Sequence, residues 1–176
     1  MEDTSFDPVS DAARRRAAAT AALAERTGLS ETLLERVVRE FYGTARHDPL
    51  LGPVFARIEH WEPHIARITD FWSSVALQTG RYHGAPMEAH LPLGLTPAHF
   101  ARWLALWEET VARLCPPEGA ALLADRARRI ADSLGHAMAV RAGQLLPLRA
   151  PHFASPAAPG TPTASPTTAP GAGGRA

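Results

Sequence analysis

The stretch Trp61-Glu62-Pro63-His64-Ile65-Ala66-Arg67-Ile68-Thr69-Asp70-Phe71-Trp72-Ser73-Ser74-Val75 repeats its large apolar side chains every three or four residues. That is the period of a helix burying one face. Its stripe is Trp61, His64/Ile65, Ile68, Phe71/Trp72 and Val75. Pro63 falls in the first turn, where a missing backbone N–H breaks no bond. His64 shares a face with Trp61, Ile68 and Phe71, because seven residues span about two turns. A polar ring therefore points where only apolar groups are expected.

The same period extends in both directions. Ser30 is an N-cap, and Leu34, Val37, Val38, Phe41 and Tyr42 follow at spacings of three and four. His47-Asp48-Pro49 stops that helix, since the residue before a proline avoids the α region. Leu50-Leu51-Gly52-Pro53-Val54-Phe55 reads as a tight apolar connector. Gly80 and Gly84 bracket a loop, and Pro86 to Leu91 can form only a short helical piece. Thr96-Pro97 opens a further helix, with Phe100, Trp103/Leu104, Trp107, Val111 and Leu114 inward. After Pro116-Pro117 the last stripe is Leu123, Ala127, Ile130, Leu134 and Met138. No segment alternates like a strand. The fold class is all-α, with four main helices.

Composition bounds the function. A chain of 176 residues is expected to form one domain. Its 18 basic and 18 acidic residues cancel to a net charge of +0, which gives no electrostatic reason to seek nucleic acid or anionic lipid. No apolar run approaches the roughly 18 residues of a membrane span, and the start Met1-Glu2-Asp3 leads into no apolar signal region. The expected location is cytoplasmic, with no membrane partner. Cys115 is the lone cysteine, so a disulfide framework, a cysteine-rich zinc site and covalent c-type haem attachment are excluded. Lysine is absent altogether, which removes Schiff-base chemistry and a phosphate-binding glycine loop of the usual kind.

Three regions are expected. Residues 1–29 are rich in Ala and Arg, and Asp11 to Arg26 reads as a peripheral or partly frayed helix capped by Ser10. Residues 30–146 hold the helical pattern. Residues 147–176 are Pro, Ala, Thr, Ser and Gly, with few large side chains to offset ordering entropy, and are expected to be disordered.

Tyr42, His64 and Trp103 each bring a hydrogen-bond donor onto a buried stripe. Any one of them alone reads as a core residue bonded to a neighbouring carbonyl. Three together suggest convergence on something polar inside the core. His90 lies on a short segment between apolar groups, where a neutral imidazole can serve a metal or simply be half-buried. His47, His60, His83, His99, His136 and His152 receive no role. Cys115 precedes Pro116 at a helix end and reads as a small apolar packer.

The ordered run Phe41-Tyr42, Asp48-Pro49-Leu50-Leu51-Gly52-Pro53-Val54-Phe55, Trp61-Glu62-Pro63-His64, Asp70-Phe71-Trp72-Ser73-Ser74, Thr79-Gly80-Arg81-Tyr82-His83-Gly84-Ala85-Pro86-Met87, His90 and His99-Phe100-Ala101-Arg102-Trp103-Leu104-Ala105-Leu106-Trp107 resembles a group III truncated haemoglobin over roughly residues 30 to 140. The resemblance implies a two-over-two helical sandwich around a non-covalent haem b (iron protoporphyrin IX). It makes His90 the proximal iron ligand, and Tyr42, His64 and Trp103 the distal polar residues around a bound ligand. Phe55, Ile68, Phe71, Trp72 and Met87 match positions around the cofactor. Arg67 and Tyr82 look placed to meet its propionates.

The function implied is binding of O2 and other diatomic ligands such as NO and CO. The alternative is a haem enzyme detoxifying NO or reducing peroxide with an external reductase. No residue is assigned a catalytic role. A module of helices with no cofactor is the reading from a different class.

Overall fold

The computed structural model describes residues 8–143, which fall within one compact unit. The tail expected to be disordered, residues 147–176, and His152 with it, lie outside the described residues. Seven α-helices follow one another: α1 (Pro8–Thr27), α2 (Glu31–Ala45), α3 (Gly52–Phe55), α4 (Trp61–Leu77), α5 (Pro86–His90), α6 (Pro97–Leu114) and α7 (Pro117–Arg141). A 3-10 turn, Leu91–Leu93, continues α5. Among the described residues there is no strand.

Helix α2 forms where its sequence says it should. The Ser30 hydroxyl accepts the Leu33 N–H at 3.1 Å, supplying one of the partners that a first turn lacks. Leu34, Val37, Val38, Phe41, Tyr42 and Ala45 are then buried along one face. Helix α6 begins with Thr96 and His99 in a capping box and Pro97 in the first turn. The helices pair α2 with α4 and α6 with α7, and the pairs cross through contacts of α2 with α6 and α4 with α7. That is a two-over-two sandwich.

One expectation changes. The N-terminal segment is an ordered helix of 20 residues that starts two positions before Ser10, so Ser10 does not cap it. It becomes a fifth long helix, packed on α4 and α7. Its hold is specific: Thr20 Oγ1 donates to the Leu77 carbonyl at 2.7 Å, and Leu23 and Ala24 pack against the core. Gly28 ends it at φ 65°, the left-handed conformation that glycine adopts without a Cβ clash. The tight apolar connector between α2 and α4 contains one helical turn, α3. Asp48 fixes that corner: Oδ1 accepts the Leu50 and Leu51 N–H groups at 3.0 and 3.1 Å. Its Oδ2 takes Arg102 Nε from α6 at 2.7 Å.

Candidate functional site

The apolar stripes do not all end in close packing. Along α4 and α6, Ile65, Trp72, Leu106, Trp107 and Val111 are buried, while Ile68, Phe71, Trp103 and Leu104 stay only partly covered. Ile68, Phe71 and Trp103 line a cavity of about 380 Å³ between the helices. Phe55, Leu51, Val54 and Ile58 close it from the α3 corner, and Ile130, Ala131 and Leu134 from α7. The volume and the mostly apolar wall fit a small-molecule or cofactor site.

Six of the polar residues on that wall come from four helices. Tyr42 stands on α2, His64 and Arg67 on α4, His90 on α5, and His99 and Trp103 on α6. The Tyr42 ring meets Phe41, Phe55 and His64 edge-on, with centroids 4.9, 5.3 and 5.8 Å away. Burial pushes the Tyr42 phenol well above its ordinary pKa, against a smaller opposing effect of hydrogen bonding with Trp103. It therefore remains a protonated donor at any physiological pH. Desolvation pulls His64 below its ordinary pKa, and the positive charge of Arg67 acts in the same direction. His64 is neutral at pH 7.

His90 is oriented by its own helix. Its Nδ1 lies 2.6 Å from the Pro86 carbonyl; a carbonyl can only accept, so Nδ1 carries the proton and Nε2 keeps its lone pair. The ring lines the cavity. Among the described residues no group of three or more His, Cys, Asp or Glu could hold a metal ion. A lone imidazole facing an apolar cavity is a poor cage for a bare ion. It suits an iron whose other positions a macrocycle fills. Arg57 and Arg67 are exposed residues on the cavity wall and can give a carboxylate charge-assisted hydrogen bonds. The residues present thus fit haem.

Tyr42, Phe55, His64, Arg67, Ile68, Phe71, Trp72, Tyr82, His90 and Trp103 all lie on this one wall. Met87 does not. On a one-turn helix Pro86, Ala89 and His90 share a side, which turns Met87 away; its carbonyl accepts the Leu91 N–H instead. Tyr82 is placed by backbone contacts, with its N–H on Ser74 Oγ at 2.8 Å. Its hydroxyl occupies the space that a Cβ at Gly84 would need. His99, Arg57, Leu93, Leu95 and Phe100 also line the cavity and were missed as site residues. Leu93 and Leu95 had a visible signal, the apolar run directly after His90. His99 had none, because its position reads only as the first turn of a helix.

Comparison with known proteins agrees with this geometry. No family model matches the chain. The group 3 truncated hemoglobin ctb of Campylobacter jejuni is 32% identical over 110 residues, covering 59% of this chain and 87% of that protein. A crystal structure of group III truncated hemoglobin from Campylobacter jejuni superposes with a TM-score of 0.59 at 30% identity, over 62% of this chain and 91% of that one.

Proposed function

The chain belongs to the group III truncated haemoglobins, and from that premise we propose that it holds a non-covalent haem b through His90 and binds diatomic ligands, O2 foremost, in the cytoplasm. The observation that carries the reading is the His90 ring on the cavity wall, with its Nδ1 bonded to the Pro86 carbonyl. When bound, haem would supply an iron able to take a small ligand. The protein's own residues would do the rest. His90 would supply the nitrogen ligand, its ring held in orientation by the hydrogen bond to the Pro86 carbonyl. Phe55, Ile68, Phe71 and Trp72 would exclude water from the cofactor. Arg67, Arg57 and the Tyr82 hydroxyl would hold its carboxylates.

Tyr42 would donate a hydrogen bond into the ligand seat, and the Trp103 N–H, which reaches the Tyr42 oxygen, would be a second donor beside it. Trp103 has no acceptor to offer, and Tyr42 keeps its proton because it is buried. Both favour a ligand that takes up partial negative charge, O2 over CO. A second reading, NO detoxification or peroxide reduction with an external reductant, draws support from His64. A neutral imidazole beside a protonated phenol puts a proton acceptor and a proton donor at one seat.

The test is spectroscopic. Purified protein, or apoprotein mixed with haemin, is expected to show a Soret band at one haem per chain. In His90→Ala the haem is expected to wash out on gel filtration and to be retained again when free imidazole is supplied. Stoichiometric haem with an unchanged ferrous spectrum in His90→Ala would overturn the ligand assignment.

A further inference from the structure

The chain has four tryptophans, and Trp72, Trp107 and Trp103 form one continuous stack. Trp72 lies on Trp107 with ring centroids 4.2 Å apart and planes 16° apart. Trp107 lies near Trp103 at 5.7 Å with planes 6° apart. Edge-on packing is open to these rings, since Phe41 meets Trp103 and Trp107 at 76° and 74°. The outer members, Trp72 and Trp103, line the cavity. The middle one is fully buried and donates Nε1–H to the Leu123 carbonyl at 3.3 Å.

That arrangement has a chemical consequence. Near-parallel indoles share a missing electron, so removing one from the stack costs less than from an isolated ring. Burial keeps water away from the oxidised ring. The carbonyl on Trp107 Nε1 is too weak a base to take the proton, so the loss is of an electron alone and is reversible.

We propose that the Trp72–Trp107–Trp103 stack is a one-electron donor site for reduction of hydrogen peroxide in the cavity. The proposal rests on the haem reading. Hydrogen peroxide takes two electrons and two solvent protons, its O–O bond breaks, and two waters leave. The stack would supply one of these electrons, becoming an indole radical cation with no bond made or broken, and the haem iron that the cavity would hold would supply the other. A small external one-electron reductant then donates twice, restoring iron and stack.

The experiment is freeze-quench electron paramagnetic resonance of the haem-loaded protein after mixing with hydrogen peroxide. A radical signal that narrows when the protein carries ring-deuterated tryptophan is expected. In Trp107→Phe its yield is expected to fall about tenfold, equivalent to about 59 mV for a one-electron couple. Trp61→Phe, which removes the tryptophan outside the stack, is expected to leave it unchanged. A wild-type signal that narrows only with ring-deuterated tyrosine, or a yield indifferent to Trp107→Phe, would overturn the proposal while the Soret band remains. A wild-type protein with no Soret band would overturn the haem reading and this one with it.

Discussion

Helix α2 carries Tyr42 on a face where Leu34, Val37, Val38, Phe41 and Ala45 are buried before any cofactor arrives. The segment that carries His90 is built the other way: from Gln78 to Phe100 no residue is buried. Local bonds hold it instead, Ser74 to the Tyr82 N–H and Pro86 to the His90 ring. The side that carries Tyr42 is thus part of the folding core, while the side that carries His90, the proposed ligand, rests on local bonds. A truncation such as Leu34→Ala is expected to cost about 2–5 kcal/mol of folding stability, with haem affinity following only through unfolding. Changes around His90 should act on haem affinity and spare the fold.

The largest effect expected from this contrast is in hydrogen exchange. Without haem, amides of residues 80–95 are expected to exchange quickly while those of 34–42 remain protected, because opening free energies follow buried contacts. Haem at a hundred times its Kd adds about 2.7 kcal/mol to whatever it binds, or about a hundredfold in protection. That gain should fall mainly on residues 80–95. A uniform gain over both segments would erase the difference between the two sides.

How much of this was legible in the sequence follows the same division. Helix α2 was readable because its cap and its stripe agree, and it ends at Ala45, just ahead of the His47-Asp48-Pro49 stop. Helix α1 was underrated: Leu23 is its one large apolar side chain, and the bond from Thr20 to the Leu77 carbonyl is a contact across 57 residues that no local pattern announces. The cavity itself was not visible from periodicity. Ile130 and Leu134 fall on a stripe like any core residue, and only the packing shows that they line the cavity. Met87 was drawn in with its neighbours on motif alone, whereas the phase of a single helical turn sends it elsewhere.

A middle-sized effect is expected at the donors. Tyr42→Phe deletes one oxygen and leaves the ring among Phe41, Phe55 and His64. A neutral hydrogen bond contributes about 0.5–1.5 kcal/mol net, and one to a partly charged acceptor more. At 1.4 kcal/mol per factor of ten, O2 dissociation should speed up about three- to a hundred-fold. CO takes up less charge and should change far less in the same variant, as stopped-flow displacement will show. Equal changes for the two ligands would mean that Tyr42 acts by its shape.

The smallest effect tests whether the Tyr42 side owes its rigidity to apolar packing or to the half-exposed Asp48–Arg102 ion pair. Asp48 has 4% of its side chain exposed and ties the corner before α3 to Arg102 on α6. The Arg102 guanidinium, helped by the Leu51 and Leu50 N–H groups, holds the Asp48 carboxyl below its usual value despite the opposing cost of burial. A carboxyl whose folded pKa is depressed contributes stability that is complete above its unfolded pKa, about 3.9. It is lost as pH falls through the lower folded value. Asp48→Asn keeps an oxygen for the two N–H groups and gives up the charge. It should lower Tm by a few degrees at pH 7, with the gap to wild type closing once pH drops below about 4. Arg102 is 44% exposed, so water screens the pair and keeps the loss small. A much larger drop at pH 7, with Tyr42→Phe-like O2 kinetics appearing in Asp48→Asn, would show that the ion pair and not the apolar face of α2 sets the position of the donors.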